Sequence, residues 1–136
     1  MTLDELQELA QRPFFQLLQQ ARGIHETHWP EREVQLCTLL SIKTGGCSED
    51  CSYCAQSARY STGVDAERLL SREAVMENAR AAKANGSTRF CMGAAWKVVR
   101  QGKKRFDEVL NIVRDVSALE MEVCVTLGEV GAEEAQ

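Results

Sequence analysis

The segment VQLCTLLSI (residues 34–42) decides the fold class, because it is short, almost continuously apolar and followed directly by a glycine- and cysteine-rich stretch. Such a run, bounded by polar residues, is typical of a strand that is buried on both faces of a parallel sheet. Residues 88–95 (TRFCMGAA) and 121–127 (MEVCVTL) repeat the pattern. We therefore expect three parallel strands in one sheet.

Two helical patterns separate these strands. Ser71 is a fair N-cap for a helix that continues to about Asn85, and Gly86 is well placed to end it. The order strand, helix, strand, helix, strand predicts an α/β fold built from parallel βαβ units with right-handed crossovers. The second helical pattern has one apolar face, formed by Phe106, Val109, Leu110, Val113 and Val116.

We interpret this pattern as a partial (β/α) TIM-type barrel of about three βα units, truncated and preceded by N-terminal helices. A closed barrel needs roughly 250 residues, whereas this chain has 136. The expected organisation is an N-terminal helical segment, residues 1–30, followed by the first, incomplete part of the barrel, residues 31–136. The polar end of the chain, residues 128–136, is expected to open one more helix.

Two helices are expected in the N-terminal segment. Thr2 and Glu5 predict a capping box for the first helix, and Pro13 fits the first turn of the second. Gly23 is expected to end the second helix, which makes residues 24–30 (IHETHWP) a connector. The connector holds two histidines that we interpret as surface residues rather than a metal site: His25 and His28.

Composition and charge exclude several classes of protein. The net charge of -4 argues against nucleic-acid binding, and the short basic cluster at residues 97–105 (KVVRQGKKR) is interpreted as a solvated loop. The sequence shows no apolar leader and no apolar run of membrane-spanning length, so we expect a cytoplasmic protein without membrane association. Since that compartment keeps thiols reduced, six cysteines predict metal or cluster ligands rather than disulfides.

The loop after the first strand, GGCSEDCSYC (residues 45–54), carries three cysteines with the spacing C-x3-C-x2-C. Thiolates bind zinc and iron–sulfur clusters, and three protein ligands leave one position open for a substrate or cofactor. The glycine pair is expected to let the backbone approach a bulky inorganic group without a Cβ clash. The residues alone leave open a structural zinc loop that is closed by a fourth ligand, such as Cys91 or Cys124.

With Tyr53 just before its last cysteine, this loop resembles the motif of the radical S-adenosylmethionine (SAM) enzymes. The surrounding sequence resembles one family among them, the biotin synthases. The resemblance is carried by TLLSIKTGGCSEDCSYCAQSARY (residues 38–60), GSTRFCMGAAWK (86–97) and CVTLG (124–128). It covers the chain from about residue 34 onward.

The resemblance implies two iron–sulfur clusters and SAM. The loop cysteines would hold a [4Fe-4S] cluster whose open iron binds SAM, and a [2Fe-2S] cluster would lie deeper in the barrel. An electron passed through the first cluster would cleave SAM to methionine and a 5′-deoxyadenosyl radical. Tyr53 and Ala94 are the candidate SAM contacts. The candidate ligands are Cys47, Cys51 and Cys54 for the first cluster, and Cys91 and Cys124 for the second.

The reaction implied by the resemblance is sulfur insertion into dethiobiotin to give biotin, the last step of biotin biosynthesis. A flavodoxin-type electron donor and a homodimer are implied as partners. The other ligands of the second cluster, a cysteine and an arginine, belong to later strands, so we expect this chain to be inactive by itself. The alternative is a non-catalytic, cysteine-rich domain that binds zinc or an iron–sulfur cluster.

Other residues near the motifs are expected to be structural. Cys37 is assigned to the core. Trp96 and Lys97 are expected to pack and to face solvent. Lys43 and Arg89 leave two alternatives open, because their charge could lie near the clusters or be paired elsewhere.

Overall fold

The computed structural model describes residues 1–31 and 33–135. Arg32 and Gln136, both within the region predicted as barrel, lie outside the described residues. The chain divides into two compact units, Met1–Val34 and Gln35–Gln136, and the predicted boundary after residue 30 stays a prediction. In chain order the elements are α1 (Leu3–Ala10), α2 (Phe14–His28), β1 (Cys37–Lys43), α3 (Arg72–Ala84), β2 (Arg89–Ala94), α4 (Lys104–Ser117) and β3 (Glu122–Thr126).

The first unit contains α1 and α2. The predicted capping box is confirmed, since Thr2 N donates to Glu5 Oε2 at 2.6 Å and Glu5 N donates to Thr2 Oγ1 at 3.3 Å. Pro13 is the N-cap of α2, directly before the first helical residue. Proline suits the start of a helix for two reasons. Its φ is fixed near a helical value, and its missing N–H would have had no partner within the helix.

The prediction that Gly23 ends α2 is wrong. The helix continues through Gly23 to His28, and Thr27 Oγ1 donates to the Gly23 carbonyl at 2.9 Å. The predicted connector is therefore mostly helical, and its two histidines lie in the last turns, where both rings contact Trp29 at centroid distances of 5.8 and 5.7 Å. A glycine costs a helix only about 1 kcal/mol, which is too little to fix its end.

The second unit contains a three-stranded sheet in the order β1-β2-β3, and both strand pairs are parallel. The three predicted strands are confirmed with slightly different bounds. The register places Leu39 beside Cys91, and Cys91 beside Cys124. Parallel strands joined through helices confirm the α/β class, while closure into a TIM-type barrel stays a proposal.

The core lies between this sheet and helices α3 and α4. Phe90 and Met92 of β2 are fully buried against apolar side chains from both helices. Burial of each such side chain contributes roughly 1.5–3 kcal/mol, so this layer holds the sheet to its helices. The buried helix residues are Val75, Met76, Ala79 and Ala82 of α3 and Phe106, Val109, Ile112 and Val116 of α4.

The other face of the sheet carries exposed side chains, which corrects two expectations. Strand β1 is not buried on both faces, since Leu39 is 74% exposed. Successive strand residues point to opposite faces, and Leu39 points away from α3 and α4. Cys37, expected in the core, is exposed for the same reason.

The ends of the helices in this unit mostly follow the sequence signals. Ser71 is the N-cap of α3, with its hydroxyl accepting from Ala74 N at 3.2 Å, and Gly86 follows the C-cap Asn85 with a φ of 90°. The helix expected over residues 128–136 is wrong for the part that is described, because residues 128–135 form turns and a bridge.

Candidate metal centre

A cavity of about 530 Å³ opens at the carboxyl ends of the three strands. Its walls come from the loop after β1, the end of β2 with the loop that follows, and the loop after β3. Open parallel sheets bind ligands at this edge. The lining includes the three loop cysteines and both candidate SAM contacts: Cys47, Cys51, Cys54, Tyr53 and Ala94.

The cysteine loop is closed by its own backbone hydrogen bonds. Cys47 N donates to Gln56 O at 2.9 Å, and Ala58 N donates to Cys47 O at 2.7 Å. Between the other two cysteines the chain makes a turn, in which Cys54 N donates to Cys51 O at 3.0 Å. These bonds hold the two ends of the loop together and keep all three cysteines beside one cavity.

The two glycines before the first cysteine are required by the conformation and packing of the chain itself. Gly45 and Gly46 both have left-handed backbone, with φ of 65° and 66°. A Cβ on Gly45 would lie 2.3 Å from the Asp65 carbonyl oxygen, and one on Gly46 would lie 2.9 Å from Ala66 Cβ. The glycines therefore admit a neighbouring stretch of this chain, while their approach to an inorganic group stays a prediction.

The three loop thiols are free and half-buried. Across residues 1–31 and 33–135, no three His, Cys, Asp or Glu side chains are grouped so that they could hold one metal ion. Thiolates around one zinc, each about 2.3 Å from it, would lie within about 4 Å of one another. Cluster-bound thiolates attach to different irons and spread farther apart. Three soft donors line one cavity, and their assignment to an iron–sulfur cluster stays a prediction.

Cys91 and Cys124 lie on the sheet and do not line this cavity. They are register partners on neighbouring strands. Burial and the neighbouring Cys124 thiol raise the pKa of the Cys91 thiol. Two adjacent thiols on one sheet face can bind one inorganic centre, and their assignment to a second cluster stays a prediction.

The two candidate SAM contacts lie at the mouth and at the wall of the cavity. Tyr53 is 92% exposed, so its ring is available to cover a bound molecule. Ala94 ends β2, and its carbonyl oxygen accepts from Trp96 N at 2.8 Å. A carbonyl oxygen has two lone pairs, which leaves one for a ligand donor. Both roles stay predictions.

Lys43 and Arg89, for which two alternatives were open, have different surroundings. Lys43 lines the cavity, where its ammonium donates to the Gly45 carbonyl and, at 3.3 Å, to the Ala95 carbonyl. Arg89 pairs instead with Glu122, and this hydrogen bond lowers the pKa of the Glu122 carboxyl. Lys43 thus brings positive charge to the cavity, whereas Arg89 is paired within the sheet.

A contact between two loops was not predicted from the sequence. Lys97 Nζ lies 2.6 Å from Glu49 Oε1, and the hydrogen bond to this carboxylate raises the pKa of Lys97. Ser57, only 4% exposed, donates to the Glu49 carbonyl at 2.6 Å. Trp96 packs as expected, and the Arg105 guanidinium lies 4.8 Å from its ring centroid. No spacing rule links an acid and a lysine on separate loops, so the sequence carried no signal for this pair.

Curated proteins similar to this chain share one name. Biotin synthase from Schizosaccharomyces pombe is 48% identical over 135 residues, which are 99% of this chain and 37% of that protein. Biotin synthase from Azoarcus sp. is 57% identical over 127 residues, 93% of this chain and 38% of that protein. Mitochondrial biotin synthase from Arabidopsis thaliana is 51% identical over 132 residues, which are 97% of this chain and 35% of that protein. The chain thus spans a little over a third of the length of these relatives.

The helices of the chain and the names of two relatives bear on its location. No helix in the described part of the chain has the length and apolar character needed to cross a membrane. The relatives from Arabidopsis thaliana and Emericella nidulans are named as mitochondrial, so a cytoplasmic location stays a prediction for this chain.

No protein-family model matches. The similarity nevertheless extends over nearly the whole chain at about half identical residues, so almost the entire chain is similar to a part of each of these biotin synthases.

Proposed function

We propose that this chain forms part of a radical SAM enzyme that inserts sulfur into dethiobiotin to give biotin. The observation that carries the proposal is the cavity at the carboxyl ends of β1, β2 and β3, which one short loop lines with three free thiols. The names of the relatives support this reaction. Dethiobiotin and SAM would be the substrates, a flavodoxin-type protein the electron donor, and a homodimer the assembled form.

Each residue at the cavity would have a separate task. When bound, the cluster would supply the electron that cleavage of SAM requires. The Ala94 carbonyl would accept a hydrogen bond from the SAM ammonium, while the Tyr53 ring would cover the molecule. The apolar parts of Leu39 and Trp96 would exclude water from the same cavity. The [4Fe-4S] ligands would be Cys47, Cys51 and Cys54, leaving one iron for SAM.

Cys91 and Cys124 would supply two ligands of a [2Fe-2S] cluster that serves as the source of sulfur. Two thiolates cannot complete such a cluster, which needs four protein ligands on its two irons. The remaining ligands and most substrate contacts would come from a part of the barrel beyond this sequence. We therefore propose that the chain is inactive by itself.

The alternative is a non-catalytic, cysteine-rich domain that binds zinc or an iron–sulfur cluster, and its zinc form has no observation in its favour. It would need a fourth donor near the loop, and the residues named for it, Cys91 and Cys124, lie outside the cavity lining. The relatives' shared name also supports an enzyme rather than a structural domain.

Anaerobic reconstitution with iron and sulfide tests the ligand assignment. We expect the parent chain to bind iron and sulfide in equal amounts, and Cys51→Ala to lose most of both. Cys37→Ala is the matched control, since it removes an exposed cysteine of β1. Equal iron in Cys51→Ala and Cys37→Ala, or zinc retained with no iron–sulfur absorbance, would contradict the proposal.

A further inference from the structure

Lys97 and Glu49 join two of the three loops that surround the cavity. Lys97 follows β2, whereas Glu49 lies between the first two cysteines of the loop after β1. Their side chains meet at 2.6 Å, and both line the cavity. Their exposed fractions are 52% and 36%, so the pair is only partly hydrated and less screened than a fully exposed pair.

The backbone of Lys97 is held on both sides. Its carbonyl oxygen accepts from Glu129 N at 2.8 Å, and the preceding Trp96 is buried. Gly128 approaches so closely that a Cβ there would lie 2.4 Å from the Lys97 carbonyl oxygen. The ammonium of Lys97 therefore extends from a well-supported position.

Glu49, in contrast, belongs to a polar loop with few attachments to the sheet. Its backbone is fixed within the loop by the hydrogen bond from Ser57, but this bond does not connect the loop to β2. A second link is made by Lys43, the last residue of β1, whose ammonium donates both to the Gly45 carbonyl at the start of the loop and, at 3.3 Å, to the Ala95 carbonyl. Two lysines thus dock the cysteine loop against the end of β2.

We propose that Lys97 is a positioning residue for the cysteine loop, acting through Glu49 and not by binding the cluster. Ordering a loop costs conformational entropy, and a loop that is held beforehand binds its ligand more tightly. The ammonium also offsets the negative charge of Glu49, which would otherwise lie close to three thiolates. The effect on iron binding rests on the proposed function, whereas the effect on the loop itself does not.

Hydrogen–deuterium exchange in the metal-free chain tests the positioning role. Lys97→Met should speed exchange of the hydrogen-bonded amides of Cys47, Cys54 and Ala58 by about two- to fivefold, the range expected for a partly exposed ion pair. Exchange in α3 should stay unchanged. The charge-swapped double variant, Lys97→Glu with Glu49→Lys, should restore the parent rate in the loop. Lys104→Met is the matched control, because Lys104 is 91% exposed and pairs with Glu108, one turn along the same helix.

The outcomes separate the two proposals. Unchanged loop exchange in Lys97→Met overturns the positioning role, as does equal acceleration in Lys104→Met or in the amides of α3. With iron and sulfide added, Lys97→Met should bind iron about two- to fivefold more weakly, and the charge swap should rescue binding. A parent chain that binds no iron contradicts the proposed function, while the exchange result still decides the role of Lys97.

Discussion

Cys91 of β2 and Cys124 of β3 are direct neighbours across the sheet, as register partners on parallel strands. Neighbouring strands lie about 4.8 Å apart, a Cα separation that a disulfide accepts. Cys37 of β1 lies in a different register row, beside Arg89. The sheet therefore pairs two of its three cysteines and leaves the third apart.

This pairing predicts the result of mild oxidation in a metal-free variant whose three loop cysteines are replaced by alanine. With diamide as the acceptor of two electrons and two protons, Cys91 and Cys124 should form a disulfide, while Cys37 stays free. Peptide mass spectrometry without reduction would show the linked pair. A main product that contains Cys37 would contradict the register described for β2 and β3.

The two faces of the sheet should respond differently to truncation. Phe90→Ala should lower the free energy of unfolding by about 3–5 kcal/mol, because it opens a cavity among buried side chains. Leu39→Ala, on the exposed face, should change it by about 0.5 kcal/mol or less. Urea denaturation followed by circular dichroism measures both. Similar losses in the two variants would show that the exposed face is covered in solution.

Alanine substitutions at two glycines with left-handed backbone distinguish the stability cost of backbone strain from that of a steric clash. Gly102 has a φ of 72° and open space around its Cβ position, so Gly102→Ala should cost about 1–2 kcal/mol from strain alone. Gly128 has a φ of 81°, and a Cβ would lie 2.3 Å from the Trp96 carbonyl oxygen. Gly128→Ala should therefore be clearly more destabilising in thermal melts. Equal losses would mean that the loop after β3 can move away at little cost.

Arg72 and Asp115 connect α3 to α4 and predict a dependence of stability on pH. The guanidinium donates two hydrogen bonds to the carboxylate, one at 2.7 Å, and lowers the pKa of Asp115 below its usual 3.8. The stabilisation is present above the unfolded-state pKa and is lost as the pH falls through the lower, folded-state value. Asp115→Asn should therefore lose stability less steeply than the parent below about pH 4. Urea midpoints measured from pH 6 downward would reveal the difference, and parallel curves would contradict it.

Local signals in the sequence were sufficient for most elements of the fold. Ser71 and Gly86 bound α3 because capping and a left-handed C-terminus are decided by adjacent residues. The apolar stripe of α4 likewise lies on the core. Gly23 failed as a stop signal because a glycine ends a helix only where the chain turns left-handed, and here it does not.

The contacts between elements could not be predicted in this way. From the apolar run of β1 we expected Cys37 in the core, but the exposure of its side chain depends on which face of the sheet α3 and α4 cover. The expectation for Gly45 overlooked the chain at Asp65, twenty residues later. The pairing of Lys97 with Glu49 likewise arises only when two loops meet.

We propose that the loop of Cys47, Cys51 and Cys54 binds a cluster with one iron left for SAM. Electron paramagnetic resonance of the reduced, anaerobically reconstituted chain tests it most directly, with and without SAM. We expect a signal that shifts on SAM addition, and the shift should be absent in a chain with Cys54→Ala. A strong cluster signal that stays identical over a full SAM titration would contradict the claim.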